Sequence, residues 1–223
     1  MLSDLRPHER QVYSQFGEDG VLEHIFECIG TTNRRFVEFG AKDGVSLSNT
    51  ANLRLHHGWT GLLMDAAASR SDELVSHAFI DAENVNALFA KHGVPERFDL
   101  LSIDIDGNDY WVWKAIDLFT PRVVVIEYNI FFQLDDCRTM PYDAQHVWQE
   151  GSCYHGASLA ALRKLGHEKG YALVHTDAWA PNAFFVLRSE LPADWQDRPT
   201  EELTDWGRFH EPPGTEGRPW TRV

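Results

Sequence analysis

Short apolar runs alternate with longer mixed stretches along most of the chain. Five runs precede residue 130, namely FVEFG (36–40), TGLLMD (60–65), HAFID (77–81), FDLLSIDID (98–106) and RVVVIEYN (122–129). Nearly continuous apolar runs are typical of strands buried on both faces, and the intervals between them leave room for crossover connections. The pattern predicts an α/β fold with a parallel sheet covered by helices on both faces.

Two segments show helical spacing instead. Residues 11–29 begin with turn formers and then place apolar side chains three and four positions apart, at Val21, Leu22, Ile25, Phe26 and Ile29. Further on, Ser158 or Gly156 is expected to start a helix whose buried stripe contains Leu159, Leu162 and Leu165. The first of these helices forms, with the residues before it, an N-terminal segment over residues 1–30.

The last two apolar runs have a different connection. YALVHTDAW (171–179) and NAFFVLR (182–188) are separated by a short Ala-Pro link, which suits an antiparallel hairpin. We therefore expect one domain over residues 1–188. Residues 189–223 form a tail rich in Pro, Gly and charge, whose aromatic residues could pack on a second chain in a homo-oligomer: Trp195, Trp206, Phe209 and Trp220.

Composition and charge exclude several classes of function. The chain of 223 residues is 43% hydrophobic but has no apolar run of membrane length, so no membrane span is expected. Its net charge of −14 disfavours nucleic-acid binding. The polar N-terminus does not resemble a signal peptide, and three scattered cysteines suit a reducing compartment. Both features favour a cytoplasmic location.

Acidic residues and glycines follow the first three predicted strands. The first strand runs into Glu38, Gly40, Asp43 and Gly44, whose G-x-x-x-G spacing differs from the G-x-G-x-x-G of dinucleotide sites. Ligands of open parallel sheets bind beyond the carboxyl ends of the strands, and acceptors there favour a cationic ligand over a phosphate.

The next two strands end in acids as well. Asp65 could accept hydrogen bonds from a ribose diol, and Asp81 and Ala82 could meet an adenine amino group. A cationic amino-acid head, a ribose and an adenine together describe S-adenosylmethionine.

An ordered set of motifs strengthens this interpretation. The chain resembles class I S-adenosylmethionine-dependent methyltransferases, and more narrowly the FkbM-like methyltransferases, at YSQFGEDGVLEHIF (13–26), FVEFGAKDG (36–44), GLLMDA (61–66), LLSIDIDGNDYWVWKAI (100–116) and PRVVVIEYN (121–129). The resemblance implies a Rossmann-like fold with a seven-stranded sheet in the order 3-2-1-4-5-7-6. It places the cofactor over strands 1 to 3 and the substrate over strands 4 and 5.

The resemblance also selects the residues expected at the cofactor and points to two departures. Cofactor contacts are expected from Gln15, Glu38, Gly40, Ala41, Asp43, Gly44, Asp65, Asp81, Ala82 and Asp104. The family's first strand usually ends closer to D-x-G-A-N-x-G and its fourth in D-V-E-G, whereas this chain has EFGAKDG and DIDG. Both changes keep the acid, so they bear on metal use and substrate class more than on cofactor binding.

Four oxygen-bearing side chains follow strands 4 and 5. Asp104 and Asp106 alternate with isoleucines and so share one face, and Glu127 and Asn129 follow the neighbouring strand. Such a set suits Mg²⁺ or Mn²⁺, and it is similar to the ligand sets of metal-dependent O-methyltransferases. The alternative is that these residues only cap the strand ends and the following helices.

The loop before the helix at Ser158 contains a candidate base. His155 could take the proton of a hydroxyl group as that group attacks the sulfonium methyl, and Asp106 is the other candidate for this catalytic role. An ordinary loop histidine is the alternative, since the chain has 11 histidines.

The sequence therefore predicts an S-adenosylmethionine-dependent O-methyltransferase. Its expected acceptor is a hydroxyl of a sugar, a glycan or a glycosylated metabolite, selected by loops between residues 130 and 157. Alternatives are a methyltransferase acting on another small molecule, a catalytically silent partner subunit that binds S-adenosylmethionine or a nucleoside, and a NAD-dependent oxidoreductase.

Overall fold

The computed structural model describes residues 2, 4–178, 181–204, 215 and 217–223. In chain order its helices are α1 (Glu18–Ile29), α2 (Ala51–His56), α3 (Val85–Lys91), α4 (Asp109–Ala115) and α5 (Leu159–Glu168). Its strands are β1 (Arg35–Phe39), β2 (Thr60–Asp65), β3 (Val75–His77), β4 (Arg97–Ile103), β5 (Thr120–Glu127), β6 (Arg138–Thr139), β7 (Tyr171–Thr176), β8 (Asn182–Leu187) and β9 (Thr221–Arg222).

Seven of these strands form one sheet in the order β3-β2-β1-β4-β5-β8-β7. The first five are parallel to one another, and β8 is antiparallel to both β5 and β7. Because β6 pairs with β9 in a separate ribbon, β7 and β8 are the sixth and seventh strands of the sheet in chain order. The predicted order 3-2-1-4-5-7-6 and the Rossmann-like α/β fold are confirmed.

Helices cover both faces of the sheet, as the apolar runs predicted. On one face Phe89 of α3 and Trp113 of α4 pack in a cluster with Phe39. On the other face Leu22 of α1 packs in a second cluster with Phe36. Adjacent strand residues such as Phe36 and Val37 thus enter opposite cores, which explains why the strands are apolar at successive positions.

The predicted bounds of several strands were wrong, including those of the third and fourth strands. The third strand lies at Val75–His77, not at 77–81, because Asp81 accepts hydrogen bonds from the amides of Glu83 and Asn84 and so begins the turn into α3. The fourth strand ends at Ile103, and beyond it the amide of Ile105 donates to the side chain of Asp109 and not to a neighbouring strand.

The described part of the tail packs on the same chain. The ring of Trp220 lies 4.7 Å from that of Phe132 and 4.8 Å from that of Tyr154, and β9 pairs with β6. Trp206 and Phe209, which were also expected to contact a second chain, lie outside the described residues, as does Trp179 at the end of the predicted 171–179 strand. Among the described residues, the helices are too short or too polar to span a lipid bilayer.

Candidate active site

A crevice opens beyond the carboxyl ends of β1, β2 and β4. Its cavity has a volume of about 420 Å³ and is lined by Gly40, Asp65 and Asp104 from the three strand ends. The opposite wall comes from a loop that contains His146 and Trp148. The sheet topology thus brings together three of the ten side chains or glycines that were predicted to contact the cofactor.

Gly40 allows the chain to pass closely beneath this crevice. Its φ is +69°, and a Cβ atom at this position would lie 1.7 Å from the carbonyl oxygen of Asp104. Only glycine can accept both this conformation and this contact. Gly40 therefore sets the spacing between the ends of β1 and β4.

Asp65 is the acid that the second strand presents to the crevice. Its Oδ2 accepts a hydrogen bond from the backbone amide of Lys42 at 2.8 Å, and its Oδ1 accepts one from Ala67 at 2.6 Å. Each carboxylate oxygen has a second lone pair. Asp65 is thus held in place by the backbone and can still accept hydrogen bonds from a ligand.

Glu38 points away from this cavity into the loop that follows β1. It accepts hydrogen bonds from Ser48 Oγ at 2.7 Å, from the Asn49 amide at 2.8 Å and from Thr50 Oγ1. Burial raises the pKa of Glu38, although these hydrogen bonds oppose the shift. In the structure Glu38 organises residues 48–50, and it does not line the cavity.

Asp43, Ala41 and Gly44 belong to the same loop without lining the cavity. Asp43 is exposed and accepts hydrogen bonds from Ser46 and Val45, which lower its pKa to about 2. Ala41 is part of the core, and Gly44 packs on the side chain of Leu63. These residues shape the loop that carries Gly40 and Lys42.

The other predicted cofactor contacts also lie outside the cavity lining. Gln15 is exposed and its carbonyl oxygen accepts a hydrogen bond from the Gln11 side chain. Asp81 and Ala82 lie at the start of the turn before α3, and the cavity is instead lined by the preceding Phe79 and Ile80. The loop after β3 thus contributes an apolar wall where acceptors were predicted.

Asp104, Asp106 and Glu127 converge at the far side of the crevice. Each has a carboxylate oxygen within 4.8 Å of one from the other two, a separation at which three carboxylates could share a metal ion. Burial raises the pKa of Asp104 well above its usual range, and the charges of Glu127 and Asp106 raise it further. The predicted approach of these acids across the two strand ends is therefore present in the structure.

The loop between β4 and α4 is held by a residue that the sequence did not single out. Asp109, in the first turn of α4, accepts hydrogen bonds from the amides of Ile105 and Gly107, both at 2.9 Å. These bonds fix the two residues that flank Asp106, which has a positive φ. Asp109 thus holds the backbone that carries Asp106.

His155 lies against the acid cluster. Its Nδ1 is 3.5 Å from Oε2 of Glu127, and neither atom has a hydrogen-bond partner among the described residues. Burial lowers the pKa of His155, although the charges of Asp109, Asp106 and Asp104 oppose this shift. Burial also raises the pKa of Glu127 well above its usual range. The predicted base thus stands beside the predicted ligands.

Asn129 holds the loop that carries His155. Its Nδ2 donates to the carbonyl oxygens of Cys153 at 2.8 Å and His155 at 3.0 Å, and its Oδ1 accepts a hydrogen bond from the Phe131 amide at 3.1 Å. The Oδ1 atom retains a lone pair, so its role as a fourth metal ligand stays a prediction.

The loop wall contains residues that the sequence analysis missed. His146 lines the cavity with a buried Nε2 that has no hydrogen-bond partner among the described residues. Asn108 joins this loop to α4, since its Nδ2 donates to the carbonyl oxygen of Asp143 at 2.7 Å. The sequence analysis indicated this wall only in general terms, by predicting that loops between residues 130 and 157 select the acceptor.

Comparisons with known proteins found only low similarity. No protein-family model matches the sequence, and no curated protein matches it. Similar solved structures include an O-methyltransferase family protein from Burkholderia thailandensis, with a TM-score of 0.40, 13% identity, and coverage of 77% of this chain and 58% of that chain. The chain thus spans little more than half the length of that protein.

A fibrillarin/Nop5p complex is also similar, with a TM-score of 0.35, 14% identity, and coverage of 78% of this chain and 85% of that chain. At this degree of similarity, the assignment of the fold depends on the strand order and register of the sheet itself.

Proposed function

We propose that this protein is an S-adenosylmethionine-dependent O-methyltransferase that acts on a hydroxyl group of a sugar, a glycan or a glycosylated metabolite. One observation carries the proposal. The cavity between Gly40, Asp65 and Asp104 opens directly beside Asp106, which belongs to the same acid cluster as Glu127. A donor site and a site for activating an acceptor would therefore be adjacent.

The cavity has the features that the cofactor requires. Its volume of about 420 Å³ lies within the range of small-molecule sites, which is roughly 300–1,000 Å³. Asp65 supplies acceptors for a ribose diol, and Phe79 and Ile80 offer an apolar surface for an adenine ring. Gly40 leaves room for the ligand to approach the backbone.

The acid cluster supports a divalent cation beside this cavity. Glu127 Oε2 is buried without a hydrogen-bond partner among the described residues, and Asp104 and Asp106 offer oxygens nearby. An all-oxygen set of this kind suits Mg²⁺ or Mn²⁺. A bound cation would lower the pKa of an acceptor hydroxyl group and would compensate the charges of the three acids.

His155 is suited to receive the proton that the reaction releases. In the proposed transfer the acceptor oxygen forms a bond to the methyl carbon as the bond between carbon and sulfur breaks. The sulfur keeps that electron pair and becomes a neutral thioether, and the hydroxyl proton passes to the imidazole. Burial favours the neutral form of His155 before transfer, and a Glu127 carboxylate would stabilise the imidazolium afterwards.

The proposal is tested by calorimetric titration with S-adenosylmethionine, with Mg²⁺ and after EDTA treatment. We expect S-adenosylmethionine to bind in both conditions. We also expect transfer of a labelled methyl group to at least one hydroxylated acceptor, at a rate that Mg²⁺ increases. Monosaccharides, oligosaccharides and non-sugar alcohols would be compared in parallel.

Each other outcome has a distinct meaning. Absence of binding in all conditions would contradict the proposal, and a parallel titration with NADH by fluorescence would then test the oxidoreductase alternative. Tight binding without transfer to any acceptor would favour the silent partner subunit.

A further inference from the structure

A second group of potential metal ligands lies beside the hairpin of β7 and β8. Glu9, His175 and Asp177 each have a ligand atom within 4.8 Å of those of the other two. His175 Nε2 lies 2.9 Å from Glu9 Oε1, and the amide of Ala178 donates to the same oxygen at 3.2 Å. None of these residues belongs to the acid cluster of Asp104, Asp106 and Glu127.

Asp177 is the unusual member of this group. It is 1% exposed, and neither of its carboxylate oxygens accepts a hydrogen bond from an amide, amine or hydroxyl donor among the described residues; its nearest charged neighbours include the Glu18 carboxyl group. A buried carboxylate without donors is strongly disfavoured unless a cation or a proton compensates it. A cation that compensates the charge of Asp177 would lie between Asp177, His175 and Glu9, whose ligand atoms are close together.

The surroundings of Asp177 supply further acceptors. Glu18, the first residue of α1, is buried and accepts hydrogen bonds from Asn182 Nδ2 and from the Phe16 amide, both at 2.8 Å. The Oδ1 atom of Asn182 is buried and has no partner among the described residues. Several buried acceptors therefore lie near Asp177.

The N-terminal segment carries Glu9 to this place through backbone hydrogen bonds. The amide of Arg10 donates to the carbonyl oxygen of Gly17 at 3.2 Å, and the amide of Gly20 donates to that of Arg10 at 3.1 Å. These bonds tie the residue after Glu9 to the start of α1. The three side chains thus lie on elements whose mutual placement is set by the fold.

We propose that Glu9, His175 and Asp177 bind a transition-metal ion of the Zn²⁺ type. One imidazole nitrogen with two carboxylate oxygens suits Zn²⁺ or Co²⁺ better than Mg²⁺ or Ca²⁺. Zn²⁺ binds such atoms at about 2.0–2.2 Å, so only small side-chain movements would bring the three ligands to one ion. The ion would fasten the N-terminal segment to β7, and this role does not depend on the proposed function.

The test uses the full chain after EDTA treatment. Co²⁺ is added first because its visible absorption reports nitrogen and oxygen ligation, and Zn²⁺ is then added in competition. The parent protein for this experiment carries Asp106→Asn, which removes one carboxylate of the acid cluster, and each variant adds one further change to this parent. The variants are Asp177→Asn and His175→Gln, and the control is His167→Gln, an exposed residue in the last turn of α5.

We expect the parent and the His167→Gln control to bind one ion with equal affinity, and both site variants to bind it at least tenfold more weakly. Zn²⁺ should raise the Tm of the parent and leave that of Asp177→Asn unchanged. Circular dichroism checks that the variants fold, and Glu9→Gln provides a third variant on a less buried ligand.

Two outcomes would overturn the proposal. The first is binding of Co²⁺ and Zn²⁺ that survives either site variant undiminished. The second is absence of binding by the parent, which would assign the compensation of Asp177 to a proton shared with Glu18.

Discussion

The Oε2 atom of Glu127 lies 3.5 Å from the Nδ1 atom of His155, and both atoms are buried without hydrogen-bond partners among the described residues. Burial opposes a charge on either group, so it raises the pKa of Glu127 and lowers that of His155. The pair therefore favours its uncharged forms until a cation or a reacting group arrives. This relationship makes His155 and Glu127 the most informative positions for mutation.

Replacement of His155 by Gln should slow methyl transfer without weakening the binding of S-adenosylmethionine. Loss of a general base typically slows a reaction by about 10² to 10⁴, and we expect a fall of this size in methyl transfer with unchanged affinity for S-adenosylmethionine. The exposed His167→Gln variant serves as control. Methyl transfer at the normal rate by His155→Gln would show that another group takes the proton.

The stability of the metal-free protein should depend on pH through Glu127. Because its pKa is raised in the folded state, the native protein keeps a proton that the unfolded chain releases above about pH 4.3. The free energy of unfolding should therefore fall as the pH rises from that value towards the folded pKa. Glu127→Gln should make this slope shallower and raise the Tm at neutral pH.

The slope is measured by urea unfolding in EDTA between about pH 5 and about pH 8. Glu201→Gln, a change at an exposed acid, should leave it unaltered. Equal slopes for Glu127→Gln and the unmodified protein would contradict the assignment of this effect to Glu127.

Asp65→Asn should weaken cofactor binding. The change removes charge from an acceptor that lines the cavity, and hydrogen bonds to charged groups contribute about 1.5–3 kcal/mol, which corresponds to roughly a tenfold to hundredfold loss of affinity. Titration calorimetry measures it, and thermal unfolding detects any loss of the bonds to Lys42 and Ala67. Asp117→Asn, on the exposed loop before β5, is the matched control.

Gly40→Ala should be far more damaging than Gly93→Ala. Both glycines have a positive φ, +69° and +66°, so the conformational cost of about 1–2 kcal/mol is common to both. Only at Gly40 does the added Cβ meet the Asp104 carbonyl, because nothing lies within 4 Å at Gly93. The difference in free energy of unfolding should be about 1–3 kcal/mol, and equal losses would disprove the contact.

Arg122→Ala should destabilise the fold at the opposite end of the sheet. The Arg122 guanidinium is buried, with Nη1 2.8 Å from Asp99 Oδ1 and Nη2 2.6 Å from Glu190 Oε2. Removing one partner of a buried pair costs about 3–5 kcal/mol, because the other charge remains buried. Arg10→Ala, which breaks an exposed pair with Glu23, should cost at most about 1 kcal/mol by the same chemical denaturation.

Local patterns in the sequence were sufficient for most of the fold. The apolar run from Thr60 to Asp65 is a strand with the predicted bounds, and Ser158 caps α5 by accepting a hydrogen bond from the Ala161 amide. Such features depend on neighbouring residues, so they can be identified without knowledge of the rest of the chain. The convergence of Asp104, Asp106 and Glu127 also follows from the sequence, because the parallel strands β4 and β5 end on the same side of the sheet.

Only the tertiary structure decided how the side chains at these strand ends are used. Glu38 and Asn129 occupy the predicted positions, yet each is bonded to a loop whose path has no periodic pattern. His146 reaches the cavity wall and Asp177 meets Glu9 through contacts between segments far apart in the chain. Hydrogen-bond partners and burial depend on which loops pack over a strand end, and residue spacing within one segment does not specify that packing.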